Sequence, residues 1–277
     1  MNIKKILMGT ALGLASIAAV ATVAFAATTI MVSDNTSAGE NQPGWLFNRD
    51  LSTSTPYTFN TAAASMGVGS LYVMPIGATP ANKFVGENFL NTPIADIDSI
   101  TYDFKIGTGG VATQEEHFYM NVYANFGISD DLKYYDCRYN VVPTVGSTTG
   151  FTTVTFDPSL SYPVATRTGA SASPFTCPAV PADMNTLSAG SNIRMFALNV
   201  GDTSGSDTGL DGYLDNVVVT LNGDATTYDF EPSLTPVTKD ECKKDGWMTF
   251  NAPFFKNQGD CVSYTQSNPK AVGNKSK

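Results

Sequence analysis

Eight side chains on two neighbouring segments of this 277-residue chain could together contact a ligand. In residues 117–126 and 133–141, apolar residues alternate with aromatic or polar ones, which predicts two strands with one outward face. Tyrosine rings can stack on apolar CH faces, and amide or charged groups beside them can bond to hydroxyls, a combination that sugars present. The alternative is an ordinary solvated sheet face. The candidate binding residues are Tyr119, Asn121, Tyr123, Asn125, Tyr134, Asp136, Arg138 and Asn140.

Four aspartates in a glycine-rich stretch form a candidate metal site. Carboxylate oxygens on flexible backbone suit Ca²⁺, which takes six to eight oxygen ligands, although the spacing differs from that of an EF-hand. Aspartates in such turns also hydrogen-bond their own backbone without any ion. Calcium is therefore a possible cofactor, and no other is suggested. The candidate ligands are Asp202, Asp207, Asp211 and Asp215.

Few residues suggest catalysis. His117 is the only histidine, and no Gly-x-Ser-x-Gly elbow accompanies it. A glycosidase needs only two carboxylates, and Glu87, Glu115 and Glu116 are conceivable, but their spacing singles out no acid–nucleophile pair. We therefore expect a protein that is not an enzyme, with a hydrolase as the less favoured alternative.

The first 26 residues have the pattern of a signal peptide. Lys4 and Lys5 precede an uncharged apolar run over residues 6–23, and Ala24-Phe25-Ala26 predicts cleavage before Ala27. An uncleaved anchor is the alternative, which the good cleavage site and the Gly, Ala and Ser of the run disfavour. The pattern predicts a secreted protein, extracellular or on the exterior of the cell envelope, with no membrane insertion after cleavage.

The chain is acidic, and its charge excludes two classes of partner. Its net charge is −9, which becomes −11 when Lys4 and Lys5, the only charged residues of the leader, are removed. Nucleic acid phosphates and anionic membrane surfaces repel such a chain. We therefore expect neither as a partner.

Four cysteines indicate two disulfides, because an even number in an exported protein is typical of disulfide pairing. Three pairings are possible. The local one, Cys137–Cys177 with Cys242–Cys261, is favoured because the last two cysteines lie in a compositionally separate tail. Zinc is disfavoured, since there is no Cys-x-x-Cys spacing and only one histidine.

Short alternating segments predict an all-β fold, a two-sheet sandwich of jelly-roll type. The clearest segment is 99–106, where Ile100, Tyr102, Phe104 and Ile106 share one side. Residues 158–181 are predicted to be a long surface loop. The other predicted strands are 28–32, 70–74, 117–126, 133–141, 152–156, 192–200, 213–221 and 228–230.

The composition changes after residue 231 and predicts a small appendage. Thr238 and Glu241 have capping-box spacing for a short helix that Gly246 would end. About 30 residues bury too little surface to fold alone, so a Cys242–Cys261 staple is needed. Trp45 and Trp247 are expected to be packing residues. The predicted organisation is 1–26 signal peptide, 27–231 sandwich, 232–237 linker, 238–265 microdomain and 266–277 flexible tail.

Two resemblances add to this interpretation. Residues 239–247 (KDECKKDGW) and 254–262 (FFKNQGDCV) resemble the tail of a group of exported bacterial proteins to which no activity is assigned. The motifs at 211–217 (DGYLDNV) and 229–232 (DFEP) resemble those that precede the tail in that group. The predicted strand order is similar to that of galactose-binding-like carbohydrate-binding jelly rolls. That resemblance implies a fold, a ligand class and a calcium-binding role for Asp215, but no catalytic residues.

The sequence thus leads to two hypotheses. The first is a binding protein that recognises an extracellular glycan or another surface ligand through the outward sheet face. The second is a structural or attachment protein of the cell envelope whose C-terminal microdomain docks onto a partner.

Overall fold

The computed structural model describes residues 27–33, 38, 42–48, 55–77, 83–111, 114–126, 135–166, 177, 192–202 and 206–267. The expected signal peptide, Tyr134 of the candidate binding residues and residues 268–277 of the expected tail lie outside these ranges, as does most of the predicted loop 158–181 beyond residue 166. Within the described ranges, no helix has the length and apolar character needed to cross a membrane.

Two sheets form the main part of the described chain. The seven-stranded sheet contains β1 (Thr28–Val32), β3 (Tyr57–Asn60), β4 (Ser70–Val73), β6 (Ile97–Ile106), β9 (Thr152–Phe156), β12 (Gly212–Leu221) and β13 (Asp224–Phe230). The six-stranded sheet contains β2 (Gly44–Phe47), β5 (Phe84–Pro93), β7 (Phe118–Asn125), β8 (Cys137–Val141), β10 (Val164–Thr166) and β11 (Asn192–Val200). The predicted all-β, jelly-roll-type sandwich is confirmed.

Most strand pairs are antiparallel, and the order of the six-stranded sheet places the candidate binding strands side by side. That order is β10-β8-β7-β11-β5-β2, so β7 lies between β8 and β11. In the other sheet, β12 pairs with β6 along one edge and with β4 and then β13 along the other. The pair β1–β13 is parallel.

The core lies between the sheets, where the predicted alternation of β6 is confirmed. Ile100, Tyr102, Phe104 and Ile106 are all completely buried. Phe104 stacks on Phe118 of the opposite sheet with ring centroids 4.9 Å apart. The Tyr102 hydroxyl donates a hydrogen bond to the Phe118 carbonyl oxygen at 2.7 Å. Each such large apolar side chain contributes about 1.5–3 kcal/mol by leaving water.

Trp45 packs at the other end of this core, as predicted. It is 1% exposed, and its ring meets those of Phe230 and Phe196 edge-on at 4.9 Å and 5.5 Å. Its strand β2 was not predicted, nor were β3, β5 and β10. In β5 the consecutive residues Phe84, Val85 and Gly86 are buried, so both sides of the strand are covered and the alternation is lost.

The described part of the C-terminal region has a second small core. Cys242, Phe255 and Cys261 are buried there, with Trp247, Phe250, Val262 and Tyr264 packed against them. Both predicted disulfides are present, with Cα atoms 5.8 Å apart in Cys137–Cys177 and 5.7 Å apart in Cys242–Cys261. The domain boundaries remain predictions.

The local structure of this region differs from the expectation. Glu241 accepts hydrogen bonds from the N–H groups of Val237 and Thr238, as in a capping box, but the chain continues in turns. The helix is instead α1 (Gln258–Gln266), whose N-cap Asn257 accepts the Asp260 N–H at 2.9 Å. Here a local capping contact forms without a helix, so capping-box spacing alone does not determine where the helix lies.

Gly246 does not provide the left-handed turn that was expected of it. Lys244 and Asp245 have positive φ values of 49° and 66°, and Gly246 is not among the residues with positive φ. A Cβ atom on Gly246 would lie 2.0 Å from the Glu241 carbonyl oxygen. The glycine is therefore needed for close backbone approach.

Replacing Cys242 and Cys261 with serine is expected to loosen the microdomain while the sandwich persists. The bond spans 19 residues, and closing a loop of about this length stabilises by roughly 3 kcal/mol in the chain-entropy model. Hydrogen exchange should accelerate in residues 258–266 and stay unchanged in β6 and β7. The matched control, Cys137→Ser with Cys177→Ser, should affect β8 and leave the tail protected. Equal loss of protection in tail and sandwich would contradict the separate boundary.

Candidate binding surface on the six-stranded sheet

The inward residues of β7 determine which of its side chains can meet a ligand. Phe118, Met120, Val122 and Ala124 are completely buried in the core. Because side chains alternate along a strand, the remaining ones lie on the opposite side of the sheet, here called the outer face. These are the predicted Tyr119, Asn121, Tyr123 and Asn125.

Strand β8 brings the second predicted set alongside. In the β7–β8 register, Asn140 lies opposite Asn121, and Arg138 lies opposite Tyr123. The Asn121 side chain donates a hydrogen bond to the Asn140 side-chain oxygen at 2.8 Å. The structure therefore brings these four predicted residues together on neighbouring strands.

Tyr135 was not among the predicted binding residues, because alternation along 133–141 would turn it away from the side of Arg138 and Asn140. Its ring lies 4.6 Å from that of Tyr123, at an interplanar angle of 60°. The β8 ladder begins at Cys137, so the alternation does not extend to Tyr135. The two rings form an aromatic pair next to Arg138.

Asp136 has a structural position at the end of β7. It is 8% exposed, its N–H donates to the Ala124 carbonyl oxygen at 3.0 Å, and its carboxylate accepts the Phe126 N–H at 2.8 Å. These bonds continue the pairing of the strand ends beyond Cys137. Asp136 was predicted to bind a ligand, but its carboxylate is buried and already accepts a backbone hydrogen bond, so it is poorly available for that role.

The outer face is buried toward β11 and β5. Ala197 lies opposite Asn121 in the ladder, Met195 lies opposite Tyr123, and Phe89 lies opposite Met195. All three are at most 7% exposed. The accessible part of the face is therefore the β7–β8 side, where Tyr119, Arg138 and Asn140 are half-buried.

A cavity of about 280 Å³ opens on this side. Four of the eight predicted binding residues line it: Tyr119, Asn121, Arg138 and Asn140. Four further lining residues were not among the predicted binding residues: Glu116, His117, Val142 and Asp202. Asp202 comes from a separate loop, so no sequence spacing could have placed it beside Tyr119.

A second cavity of about 550 Å³ shares part of its lining with the first. It lies along residues 140–145, 152–155 and 160–163. Asn140 and Val142 line both cavities. The second cavity is also lined by residues of β9, an edge strand of the other sheet.

Burial changes the acid–base behaviour of the groups around Tyr119. Lys83 donates a hydrogen bond from Nζ to the Tyr119 hydroxyl at 3.0 Å. Burial raises the pKa of Tyr119 to about 12. Burial, together with the positive charge of Arg138, lowers the pKa of Lys83 to about 8. At neutral pH the tyrosine keeps its proton and Lys83 remains mostly charged.

Two of the four predicted metal ligands, Asp202 and Asp207, lie beside His117, the only histidine of the sequence. The His117 Nδ1 atom lies 2.8 Å from Asp207 Oδ1, and its Nε2 atom lies 3.2 Å from Glu116 Oε1. Among the described residues, His117, Asp202 and Asp207 are the one group of three potential ligands whose donor atoms lie within 4.8 Å of one another. Burial raises the pKa of Asp207, and the charge of His117 opposes that effect.

Asp211 lies in a different place and holds a glycine turn. Its carboxylate accepts hydrogen bonds from the Tyr72 hydroxyl at 2.6 Å and from the N–H groups of Gly109 and Gly110 at 2.7 Å and 3.0 Å. These donors fulfil the role that a cation could otherwise have.

Asp215 is also bonded to backbone, at a third place. It is completely buried, and its oxygens accept the N–H groups of Ser65, Met66, Asn216 and Phe230. Burial nevertheless raises its pKa to about 6. The four predicted ligands therefore occupy three separate environments: Asp202 and Asp207 lie together beside His117, while Asp211 and Asp215 each lie elsewhere.

Two more buried carboxylates, which were not predicted as ligands, lie beside the Ser65–Met66 turn. Glu231 accepts the Val68 N–H at 2.6 Å, and a Cβ atom on Gly67 would come within 3.0 Å of Asp229 Oδ2. Among the described atoms, Asp229 Oδ1 and Glu231 Oε2 are buried without a hydrogen-bond partner. Burial, and then the Glu231 charge, raise the pKa of Asp229 to about 6.

Comparisons with known proteins give a fold likeness only. No family model matches the chain, and no curated protein matches its sequence. The CBM22-1 xylan-binding domain of Paenibacillus barcinonensis Xyn10C is similar in structure with 12% identity and a TM-score of 0.37, over 64% of this chain and 85% of that domain. The C-terminal family 22 carbohydrate-binding module of Clostridium thermocellum Xyn10B has 12% identity and a TM-score of 0.32, over 65% and 87%.

An enzyme domain shows a comparable likeness. The enzymatically active domain of Bacteriophage CBA120 tailspike protein 4 has 10% identity and a TM-score of 0.33, over 64% of this chain and 19% of that one. At such low TM-scores none of these similarities bears on the ligand.

Asp229→Asn is expected to stabilise the fold near neutral pH. The folded-state pKa is raised, so the native state holds its proton more tightly, and stability falls as the pH rises from about 4 to about 6. Asparagine does not ionise, so the loss of stability at higher pH should disappear. Asp229 Oδ1 makes no hydrogen bond that the substitution could remove. Urea unfolding at pH 4, 5, 6 and 7 should show a flatter profile for the variant. An unchanged slope would mean that Asp229 does not contribute, and Asp224→Asn, at an exposed position, is the matched control.

Proposed function

We propose that the protein is exported and binds an extracellular glycan on the outer face without transforming it. The observation that carries this proposal is the cavity lined by β7, β8 and Asp202, in which Tyr119, Arg138 and Asn140 converge. Aromatic, cationic and amide groups in one cleft match the CH faces and hydroxyls of a sugar.

The support for these side chains favours recognition. Asn199 donates a hydrogen bond to the Asn121 oxygen at 3.3 Å, and Asn121 donates to Asn140, so three amides form a chain beneath the cavity. Groups held by such bonds lose little side-chain entropy when a ligand binds. The Tyr123–Tyr135 pair offers ring surface next to Arg138.

The shared lining of the two cavities favours an extended ligand. Val142 is 44% exposed and lines both cavities, as does Asn140. A chain of several sugars could therefore follow the groove toward β9, while a single sugar would fill only part of it.

Tyr119→Ala and Arg138→Ala are expected to weaken polysaccharide binding about tenfold or more, since a hydrogen bond to a charged group contributes about 1.5–3 kcal/mol. Affinity electrophoresis against a panel of polysaccharides measures this effect. Tyr213→Ala is the matched control, because Tyr213 pairs with Tyr72 at 4.9 Å in the other sheet. If both outer-face variants are still retarded and Tyr213→Ala is not, the binding site lies on the seven-stranded sheet and the proposal is wrong. No retardation by any polymer would oppose glycan binding itself.

Calcium remains a proposed cofactor. The three environments of the four aspartates argue against one site with four ligands, so we propose a structural ion at one of them. The buried oxygens of Asp229 and Glu231 beside the Asp215 turn favour that neighbourhood for a hard cation, because Ca²⁺ takes carboxylate and backbone oxygens.

Added Ca²⁺ should raise the melting temperature, and a chelator should reverse the rise. Binding to the native state alone at 100 times Kd stabilises by about 2.7 kcal/mol. Glu231→Gln should abolish the rise if the ion lies beside Asp215. The proposal fails if Ca²⁺ and chelator give the same melting temperature.

The second candidate function is attachment to the cell envelope through the microdomain. Met248 and Phe254 are 61% and 69% exposed there, beside the small core around Phe255. Large apolar side chains in water favour a protein contact when they lie close together. The full chain and its Met248→Ser and Phe254→Ser variants can be compared in pull-downs of cell-wall fractions. Equal capture by all three would oppose docking through these residues.

A further inference from the structure

The geometry points to a divalent transition-metal site at the rim of the outer-face cavity, formed by His117, Asp202 and Asp207. We infer this from the imidazole and the two carboxylates, whose donor atoms lie within 4.8 Å of one another. Ligand atoms about 2.1 Å from a shared zinc ion are at most about 4.2 Å apart, so small side-chain movements suffice.

The ligand types select the class of ion. Ca²⁺ and Mg²⁺ take oxygen ligands, whereas an imidazole nitrogen favours zinc and its neighbours in the transition series. His117 thus distinguishes this site from the calcium site proposed above. The two sites share no residue.

The cluster is built into the fold. Asp207 is only 1% exposed, and it accepts the Asp202 N–H and the Ser206 hydroxyl. The Gly201 N–H donates to the His117 carbonyl oxygen at 2.8 Å, which joins this loop to the start of β7. His117, Asp202 and Asp207 are therefore already held close together by hydrogen bonds in the absence of an ion. Little conformational entropy is lost when an ion binds to groups that are already positioned.

The charges around the cluster also favour a cation. Asp207 and Glu116 contact the two nitrogens of the His117 imidazole, and Asp202 belongs to the same cluster. Lys83 interacts electrostatically with Asp202 and supplies one positive charge. Three carboxylates against Lys83 and Arg138 leave one negative charge in excess, which a bound cation would offset.

The site would keep open coordination positions on the cavity side. His117 and Asp202 line the cavity as well as the cluster, and Glu116 lies 3.2 Å from the free side of the imidazole. Three protein ligands with an open position are the arrangement in which zinc also binds water or another small ligand.

Isothermal titration of chelator-treated protein without a histidine tag with ZnCl₂ tests the proposal. We expect one ion per chain, and at least tenfold weaker binding in His117→Ala and in Asp202→Asn. Asp224→Asn, an exposed aspartate at the start of β13, should bind like the wild type. Asp202→Asn keeps the side-chain volume on a half-buried loop residue, so it remains informative if His117→Ala fails to fold.

Co²⁺ provides a second readout that reports the ligands directly. The visible bands of bound Co²⁺ should be stronger than those of the aqueous ion and should change in His117→Ala. No Zn²⁺ binding, or binding of equal affinity in wild type and both variants, would overturn the inference. CaCl₂ that competes fully at equal concentration would overturn the choice of a transition metal. No glycan is present, so the result is independent of the proposed sugar binding.

Discussion

The contact between β6 and β7 across the core determines the position of the candidate site. Phe104 stacks on Phe118, and the Tyr102 hydroxyl bonds to the Phe118 carbonyl oxygen, so β7 is held by both its side chain and its backbone. A slip of one residue would turn every side chain of β7 to the other side of the sheet. The outward direction of Tyr119, Asn121 and Tyr123 therefore follows from the burial of Phe118.

Several acidic residues of this chain serve inside it as acceptors for loops. Asp103 accepts hydrogen bonds from Ser65, Thr153 and Asn216, Asp211 binds the Gly109–Gly110 turn, and Asp215 holds the Ser65–Met66 turn. Buried carboxylates are costly unless they are bonded in this way. The negative net charge thus overstates the charge available at the surface.

The fold could be predicted wherever one side of a strand is buried and the other is wet. In β6 and β7 the two-residue period is clear, and it correctly placed Phe104, Phe118 and Tyr119 on their sides of the sheets. It failed for β5, where Val85 and Phe89 are buried on the outer side while Phe84 is buried in the core. Burial on both sides removes the pattern on which such predictions depend.

The site was predictable only in part, for a related reason. Alternation found Tyr119, Arg138 and Asn140, because neighbouring strands carry them. The contact between His117 and Asp207 joins residues 90 positions apart through the arrangement of loops, which leaves no local pattern. Capping-box spacing misled at Glu241, since its hydrogen bonds form equally well in a turn.

The parallel pairing of β1 with β13 has a consequence for how the chain acquires its structure. Thr28 is the ladder partner of Thr226, and Val32 that of Phe230, so an early segment rests on one of the last strands of the sandwich. Contacts between such distant segments close large loops and form slowly. Because the ribosome delivers residues in order, β1 has no ladder partner until nearly the whole sandwich has been synthesised. The seven-stranded sheet therefore gains its β1 edge only after the last strand of the sandwich has been synthesised.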